Sequence, residues 1–304
     1  MKLCSVWDPT AHRRRLCIED GGDLLVVGTG SGFTDVAALL GHSVGPIEDG
    51  VAATGIGSSL GLFADVSTAE PATGNTHLVS PVTPEEVWAA GVTYERSREA
   101  RMHESIEKDV YARVYESERP ELFFKATGPR VVGPGAPVGL RSDSMWQIPE
   151  PELAVVLRSD GEIAGYTLGN DMSSRDIEGE NPLYLPQAKI FTGSCALGPA
   201  VVPASEVEDP YALGIEMRIE RSGERVFEGS TTTAQLRKRF DVLVDYLTRD
   251  NRIAPGTVLL TGTGVVPPDD FTLQPGDVVE VVCPEIGTLR NVCAPAAGLV
   301  PPPL

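Results

Sequence analysis

Glu150-Pro151-Glu152-Leu153-Ala154-Val155-Val156-Leu157 is followed by Arg158-Ser159-Asp160-Gly161-Glu162 and then by Ile163-Ala164-Gly165-Tyr166-Thr167-Leu168-Gly169-Asn170-Asp171. Two strand-length apolar runs around a polar, Gly-containing turn form a β-hairpin. A turn centred near Asp160 sets residues whose numbers sum to about 320 opposite one another. Residues i and i+2 share a face of a strand, so Glu150 and Glu152 point the same way. Asp171 falls within one step of Glu150, and three carboxylates converge at the open end of the hairpin.

Three anions that close repel each other and push their pKa values up. A hard divalent cation removes the repulsion, and all-oxygen ligation suits Mg²⁺, or Mn²⁺ or Ca²⁺, better than zinc or copper. A solvated acidic rim is the alternative, and at this level both stay open. The apolar run after Glu152 and the place of Asp171 at a strand end weigh toward the metal.

Outward from the hairpin, short β-like runs at 201–202, 214–219, 257–261 and 278–282 stand between Gly and Pro punctuation. Leu236, Phe240, Leu243, Val244 and Leu247 recur at helical spacing, with Thr232 or Thr233 as the cap. A second helix is expected over 95–107. The small, polar stretch at 67–84 reads as a linker, so residues 1–75 form a small N-terminal domain and 76–304 a larger one. Pro301-Pro302-Pro303 is expected to fray. With 32 Gly and 25 Pro in 304 residues, a turn-rich, mainly β (α+β) fold is favoured over a helical bundle.

Lys+Arg is 25 against Asp+Glu 43, a net charge of −18 that argues against nucleic acid and against an anionic membrane surface. Five cysteines at long spacings, with no C-x-x-C, point to reduced thiols. His12 and Arg13-Arg14-Arg15 interrupt any leader-like apolar run, and no stretch reaches the ~18 apolar residues of a membrane span. A cytoplasmic protein is expected.

Further candidates carry chemistry. Lys189 has apolar flanks that lower an amine's pKa and suit it to proton transfer; a snorkelling surface lysine is the plainer reading. Glu121 heads the aromatic run Leu122-Phe123-Phe124-Lys125 and is either a site carboxylate or a simple partner of Lys125. Gly262-Thr263 ends an apolar strand in a turn whose N–H groups and hydroxyl can hold a carboxylate, or which is only a tight turn. Two motifs are decoys. Gly28-Thr29-Gly30-Ser31-Gly32-Phe33 puts Phe33 where a dinucleotide fingerprint needs its third glycine. Gly57-Ser58-Ser59-Leu60-Gly61 matches a nucleophile elbow, but the chain has only His12, His42, His77 and His103 to serve it.

In order and spacing, Gly91-Val92-Thr93-Tyr94, Phe123-Phe124-Lys125, Gly133-Pro134-Gly135, the Glu150–Leu153 motif, Asn170-Asp171-Met172-Ser173-Ser174-Arg175-Asp176, Lys189, Leu260-Thr261-Gly262-Thr263 and Ile286-Gly287-Thr288-Leu289-Arg290-Asn291 resemble the fumarylacetoacetate hydrolase family over roughly 80–295. The resemblance implies a mixed β-sandwich roll behind a small N-terminal domain, assembled as a homodimer or homotetramer. It implies that Glu150, Glu152 and Asp171 bind Mg²⁺ or a related cation, that Lys189 is the family lysine, and that Gly262 and Thr263 hold the substrate carboxylate. Hydrolytic members activate water with a His and a Glu; here Ser97 and Ala100 stand at those positions, and His103 and Glu104 are out of register. The details are most similar to the branch that dehydrates 2-keto-3-deoxy-D-arabinonate.

The resemblance thus implies a lyase acting on a small 2-oxo acid. A metal-stabilised enolate makes the C3 proton removable, Lys189 moves that proton, Glu121 protonates the departing C4 hydroxyl, and 2,5-dioxopentanoate results. Arg98 is a candidate for drawing in the anionic substrate. A C–C hydrolase, decarboxylase or isomerase working on the same chelated 2-oxo acid is the alternative.

Overall fold

The computed structural model describes residues 1–28, 32–104 and 108–299, apart from the side chains of 101, 103, 104 and 108–111. The hairpin forms as its sequence dictates. Pro151–Leu157 pairs antiparallel with Ile163–Asp171, Pro151 opposite Asn170 and Leu153 opposite Leu168. Gly161, at a φ of 88°, supplies the left-handed residue of the turn.

Every residue of Pro151–Leu157 is buried, because both faces of this strand are covered. Leu153, Val155 and Leu157 pack into one core with Ile215, Met217, Ile219, Val279, Val281 and Leu289 of a second sheet. Ala154 and Val156 face the other way, into a core shared with Leu3, Val36, Leu39, Val201, Val258 and Leu260. Continuing that even-numbered face backward brings Glu152 and Glu150 to the strand's end.

The hairpin lies inside a 12-stranded mixed sheet. Its main path runs Ile56–Leu62, Asp23–Val27, Arg13–Asp20, Lys2–Asp8, Cys195–Pro203, Ile163–Asp171, Pro151–Leu157, Thr257–Leu260, Val87–Gly91, Glu121–Ala126. The second sheet has five strands, Glu224–Thr232, Gly214–Arg221, Val278–Cys283, Gly287–Pro295 and Val138–Leu140, and stacks on the first as a mixed β-sandwich. Asn291 of the Ile286–Asn291 motif donates its amide to Gly133 O (2.9 Å) and Ala136 O (2.8 Å), tying the Gly133-Pro134-Gly135 turn to this sheet.

The N-terminal strands extend the large sheet, with Leu3 opposite Val201. The sequence boundary at 75/76 falls between the Phe63–Thr68 helix and the His77–Val79 strand, which itself pairs with Lys2–Asp8. The expected helix around Leu236 starts later. Thr232 caps only a 3₁₀ turn, Thr233–Gln235, accepting from Ala234 N, and the α-helix is Phe240–Thr248. Phe240, Leu243, Val244 and Leu247 are its buried face, as their spacing requires. The helix expected over 95–107 is Glu95–Glu104; residues 105–107 lie outside the described residues, as do 300–304.

The Gly57–Gly61 decoy lies within the Ile56–Leu62 strand, where Ser59 Oγ is bonded to Asp23. Residues 29–31 of the Gly28–Phe33 motif are outside the described residues. All five cysteines are free and buried. Among the described residues no helix is long and apolar enough to cross a membrane.

Candidate metal and active site

The hairpin's open end closes with Asp171 N–H donating to Glu150 O at 2.9 Å. That contact gathers Glu150, Glu152 and Asp171, whose ligand oxygens lie within 4.8 Å of one another, all buried. Three buried cations surround them. Arg175 Nη2 is 2.6 Å from Glu150 Oε1, Lys189 Nζ contacts Glu150 Oε2 and lies 3.1 Å from Asp171 Oδ2, and Lys125 Nζ lies 2.5 Å from Asp171 Oδ1. Lys125 also donates to Met172 O (2.9 Å) and Lys189 O (2.6 Å), so its contact with Asp171 is a charge contact while its protons are directed at carbonyls.

Glu152 is different. Among the described residues it has no ion-pair partner, and its bond is from Gly262 N–H to Oε2 at 2.5 Å. Burial first, then the neighbouring Asp171 and Glu150, push its pKa well above the ordinary carboxylate range. A hard divalent cation supplies the missing positive charge, and three carboxylate oxygens suit Mg²⁺, Mn²⁺ or Ca²⁺. The residues present therefore fit such an ion.

A prediction follows from this geometry. Mg²⁺ at 100 times its Kd raises stability by about 2.7 kcal/mol, seen as a rise in Tm. Glu152's folded-state pKa lies above its unfolded value, so below the folded pKa a cation must first displace its proton. The Mg²⁺-induced rise in Tm is expected to be larger at pH 8 than at pH 6; calorimetry showing the reverse would contradict this placement of charge.

A small cavity opens beside the triad and Lys189, lined also by Ser97, Glu121, Phe123, Glu178, Gly262 and Thr263. Glu121 sits opposite Gly91 across neighbouring strands. A Cβ on Gly91 would lie 2.2 Å from Glu121 Oε2, so glycine leaves the room in which that carboxylate sits. Val92 then turns the chain with a φ of 54°, a left-handed conformation costly for a β-branched residue and characteristic of functional sites. The turn leads Thr93 Oγ1 to Thr261 O (2.7 Å), which fixes the Gly262 corner.

The structure brings Glu150, Glu152, Asp171, Lys189, Glu121, Gly262 and Thr263 to one cavity. The N–H of Gly262 is already bonded to Glu152, and Thr263 Oγ1 donates to Val265 O at 3.1 Å. Arg98 is not on this wall. It lines a neighbouring cavity with Arg96 and Met102, and its guanidinium meets Glu95 (3.1 Å), Glu116 (3.9 Å) and the ring of Tyr115. The side chains of His103 and Glu104 are outside those described.

The sequence reading missed Lys125, Arg175 and Glu178. Lys125 pairs with Asp171; the suggested Lys125–Glu121 pair is replaced by this deeper one. Burial of a lysine at the end of an aromatic strand was its signal, and Ser-Ser-Arg-Asp at the end of an apolar strand was that of Arg175.

The profile of the family described as Fumarylacetoacetate (FAA) hydrolase C-terminal matches residues 86–294. A Haloferax volcanii protein described as "Probable 2-keto-3-deoxyxylonate dehydratase" is 51% identical over 230 residues, 76% of this chain and 79% of that one. The 2-dehydro-3-deoxy-D-arabinonate dehydratase of Saccharolobus solfataricus is 49% identical over 216 residues, 70% of this chain and 72% of its own. A solved 2-keto-3-deoxy-D-arabinonate dehydratase, complexed with magnesium and 2,5-dioxopentanoate, superposes with a TM-score of 0.83 at 36% identity, covering 97% of this chain and 99% of that one.

Proposed function

The chain belongs to the fumarylacetoacetate hydrolase family, and we propose on that footing that it is a hydro-lyase converting 2-keto-3-deoxy-D-arabinonate to 2,5-dioxopentanoate. The observation that carries the reading is the buried oxygen triad with Lys189 against two of its carboxylates, in a chain whose similar structure holds magnesium and that product. Ser97, where hydrolytic members have their His, speaks against C–C hydrolysis.

A divalent cation on Glu150, Glu152 and Asp171 supplies Lewis acidity toward the carboxylate and keto oxygens of a 2-oxo acid. The chain's own residues do the rest. Lys189, an ammonium against Glu150 and Asp171 in this structure, would first release its proton to solvent as a bound cation takes over the charge of those carboxylates; its neutral amine Nζ then takes the C3 proton and becomes an ammonium again. Glu121, as the carboxylic acid, gives its proton to the C4 hydroxyl, which leaves as water with the electrons of the C4–O bond. Proton shifts in the resulting hydroxy-alkene move its double bond to C4–C5, and that enol becomes the C5 aldehyde. Phe123 supplies an apolar part of the same cavity wall. Thr263 is the proposed contact for the substrate carboxylate, and Arg98 acts at most at the entrance.

The reading includes a cytoplasmic homodimer or homotetramer, supported by free buried thiols and by Met145 and Leu183, 85% and 84% exposed. Gly91→Ala tests Glu121. The new methyl displaces its carboxylate, and kcat is expected to fall roughly 10- to 100-fold, in the range of one misplaced acid, with little change in Tm. Unchanged kcat would remove Glu121 from the acid role. The reading as a whole is tested by offering the Mg²⁺-loaded protein the sugar acid, oxaloacetate and an acylpyruvate in parallel. Loss of water from the first supports it; turnover of the others alone overturns it.

A further inference from the structure

A second cavity, of about 270 Å³, lies between the N-terminal strands and the Gly133-Pro134-Gly135 turn and shares no lining residue with the catalytic one. The close approach of its two sides rests on glycine. A Cβ on Gly133 would lie 2.3 Å from Ser80 N, and one on Gly135 would lie 2.8 Å from Pro71 Cγ. Along one wall the strand register sets Arg14 and His77 directly opposite Trp7, one on either side, so the three side chains share a face. All three line the cavity. The indole is held by its N–H, which donates to Thr73 O at 3.0 Å. His77 Nδ1 lies 2.9 Å from Asn75 O, which can only accept, so Nδ1 carries a proton. Burial lowers the His77 pKa and keeps the ring neutral, which leaves Nε2 as an acceptor.

We propose that this cavity is a binding site for a small monocarboxylate with an apolar body, separate from the substrate site. Among the described residues Arg14 is the only charged side chain on its wall, in a chain with 43 Asp and Glu. A wall that carries a guanidinium and no carboxylate is suited to an anion. Arg14 Nη1 donates to Thr83 Oγ1 at 2.6 Å, and the five N–H donors of a guanidinium let it hold that hydroxyl and a ligand carboxylate together. At the other end of the row, His77 Nε2 offers a lone pair, so the site has one anion position and not two. Pro71, Val132, Pro134 and Leu299 make the rest of the wall apolar, which suits a ring or branched chain lying against the Trp7 indole. An apolar cavity of about 150 Å³ takes up benzene. At 270 Å³ there is room for a ring and a short acid arm.

The probe is 3-phenylpropanoate, which has no keto oxygen with which to chelate a metal, compared with the neutral 3-phenylpropan-1-ol. Calorimetry on the full chain without added metal is expected to show one site that binds the acid roughly tenfold or more tightly than the alcohol. Arg14→Met keeps an apolar stem and removes the charge; it is expected to bring that ratio to about threefold or less. Ala136→Leu puts a larger side chain on the cavity wall at a half-buried position and is expected to weaken both ligands roughly tenfold or more. It carries the test if the Arg14 variant does not fold. A purely structural role for Arg14 would lower Tm and leave the ratio alone, against the proposal. No saturable binding to wild type at millimolar probe, an unchanged ratio in folded Arg14→Met, or unchanged binding in Ala136→Leu overturns it. So does binding that weakens as the protein concentration rises, which would give the cavity to a second copy of this chain.

Discussion

Replacing Lys189 with methionine is expected to lower kcat by about 10²- to 10⁴-fold, the contribution of a positioned proton-transfer group. Methionine fills a similar volume but carries no proton. The same change removes the charge that contacts Glu150 Oε2 and lies 3.1 Å from Asp171 Oδ2. The metal-free variant is therefore expected to melt earlier than wild type, because two buried carboxylates lose compensation. Mg²⁺ is expected to recover more of that loss than it adds to the wild-type protein, since it enters a site of greater negative charge. Single-turnover kinetics and calorimetry separate the effects. Turnover within tenfold of wild type would exclude Lys189 from the proton transfer.

Lys125→Met is expected to have the largest effect on folding. Lys125 is fully buried, lies 2.5 Å from Asp171 Oδ1 and donates to the carbonyls of Met172 and Lys189. Breaking a buried pair by removing one partner costs about 3–5 kcal/mol, because the remaining charge stays in a low-dielectric interior. Two carbonyls lose a donor as well. Urea denaturation measures the loss directly. A change below about 1 kcal/mol would mean that Asp171 is compensated by other groups. Activity is expected to fall with stability here, since the Lys189 carbonyl and the Asp171 carboxylate share this one ammonium.

The hairpin and its acidic end were legible because strand alternation is a local rule. Even positions 150, 152, 154 and 156 must share a face whatever the rest of the chain does. The return strand brought Asp171 into place through one turn of known type. What stayed hidden depends on contacts distant in sequence. Lys125 and Asp171 are joined only when the Glu121–Ala126 strand and the hairpin take their places in the large sheet. A local reading offered Glu121 as the partner because only Glu121 was near in the chain. Arg98 shows the same limit: helical position says nothing of which wall a guanidinium reaches, and in the structure it lines a neighbouring cavity, where it meets Glu95 and Glu116. The Phe240–Thr248 helix starts later than its periodicity suggested, since Thr232 satisfies Ala234 N in a 3₁₀ turn and that bond ends the local capping demand. The N-terminal strands gave no chemical signal, yet they finish the sheet on which the site is built.

Proton NMR of the purified protein with Mg²⁺ and 2-keto-3-deoxy-D-arabinonate, run alongside Glu152→Gln, is the most direct measurement. Glutamine keeps the shape of the side chain but removes the one triad charge that has no ion-pair partner among the described residues. The aldehyde proton of 2,5-dioxopentanoate is expected to grow in with the wild-type chain, to vanish with a chelator and to be absent with the variant. No aldehyde from the Mg²⁺-loaded wild type, or full product from Glu152→Gln, would contradict a metal-dependent dehydratase built on this triad.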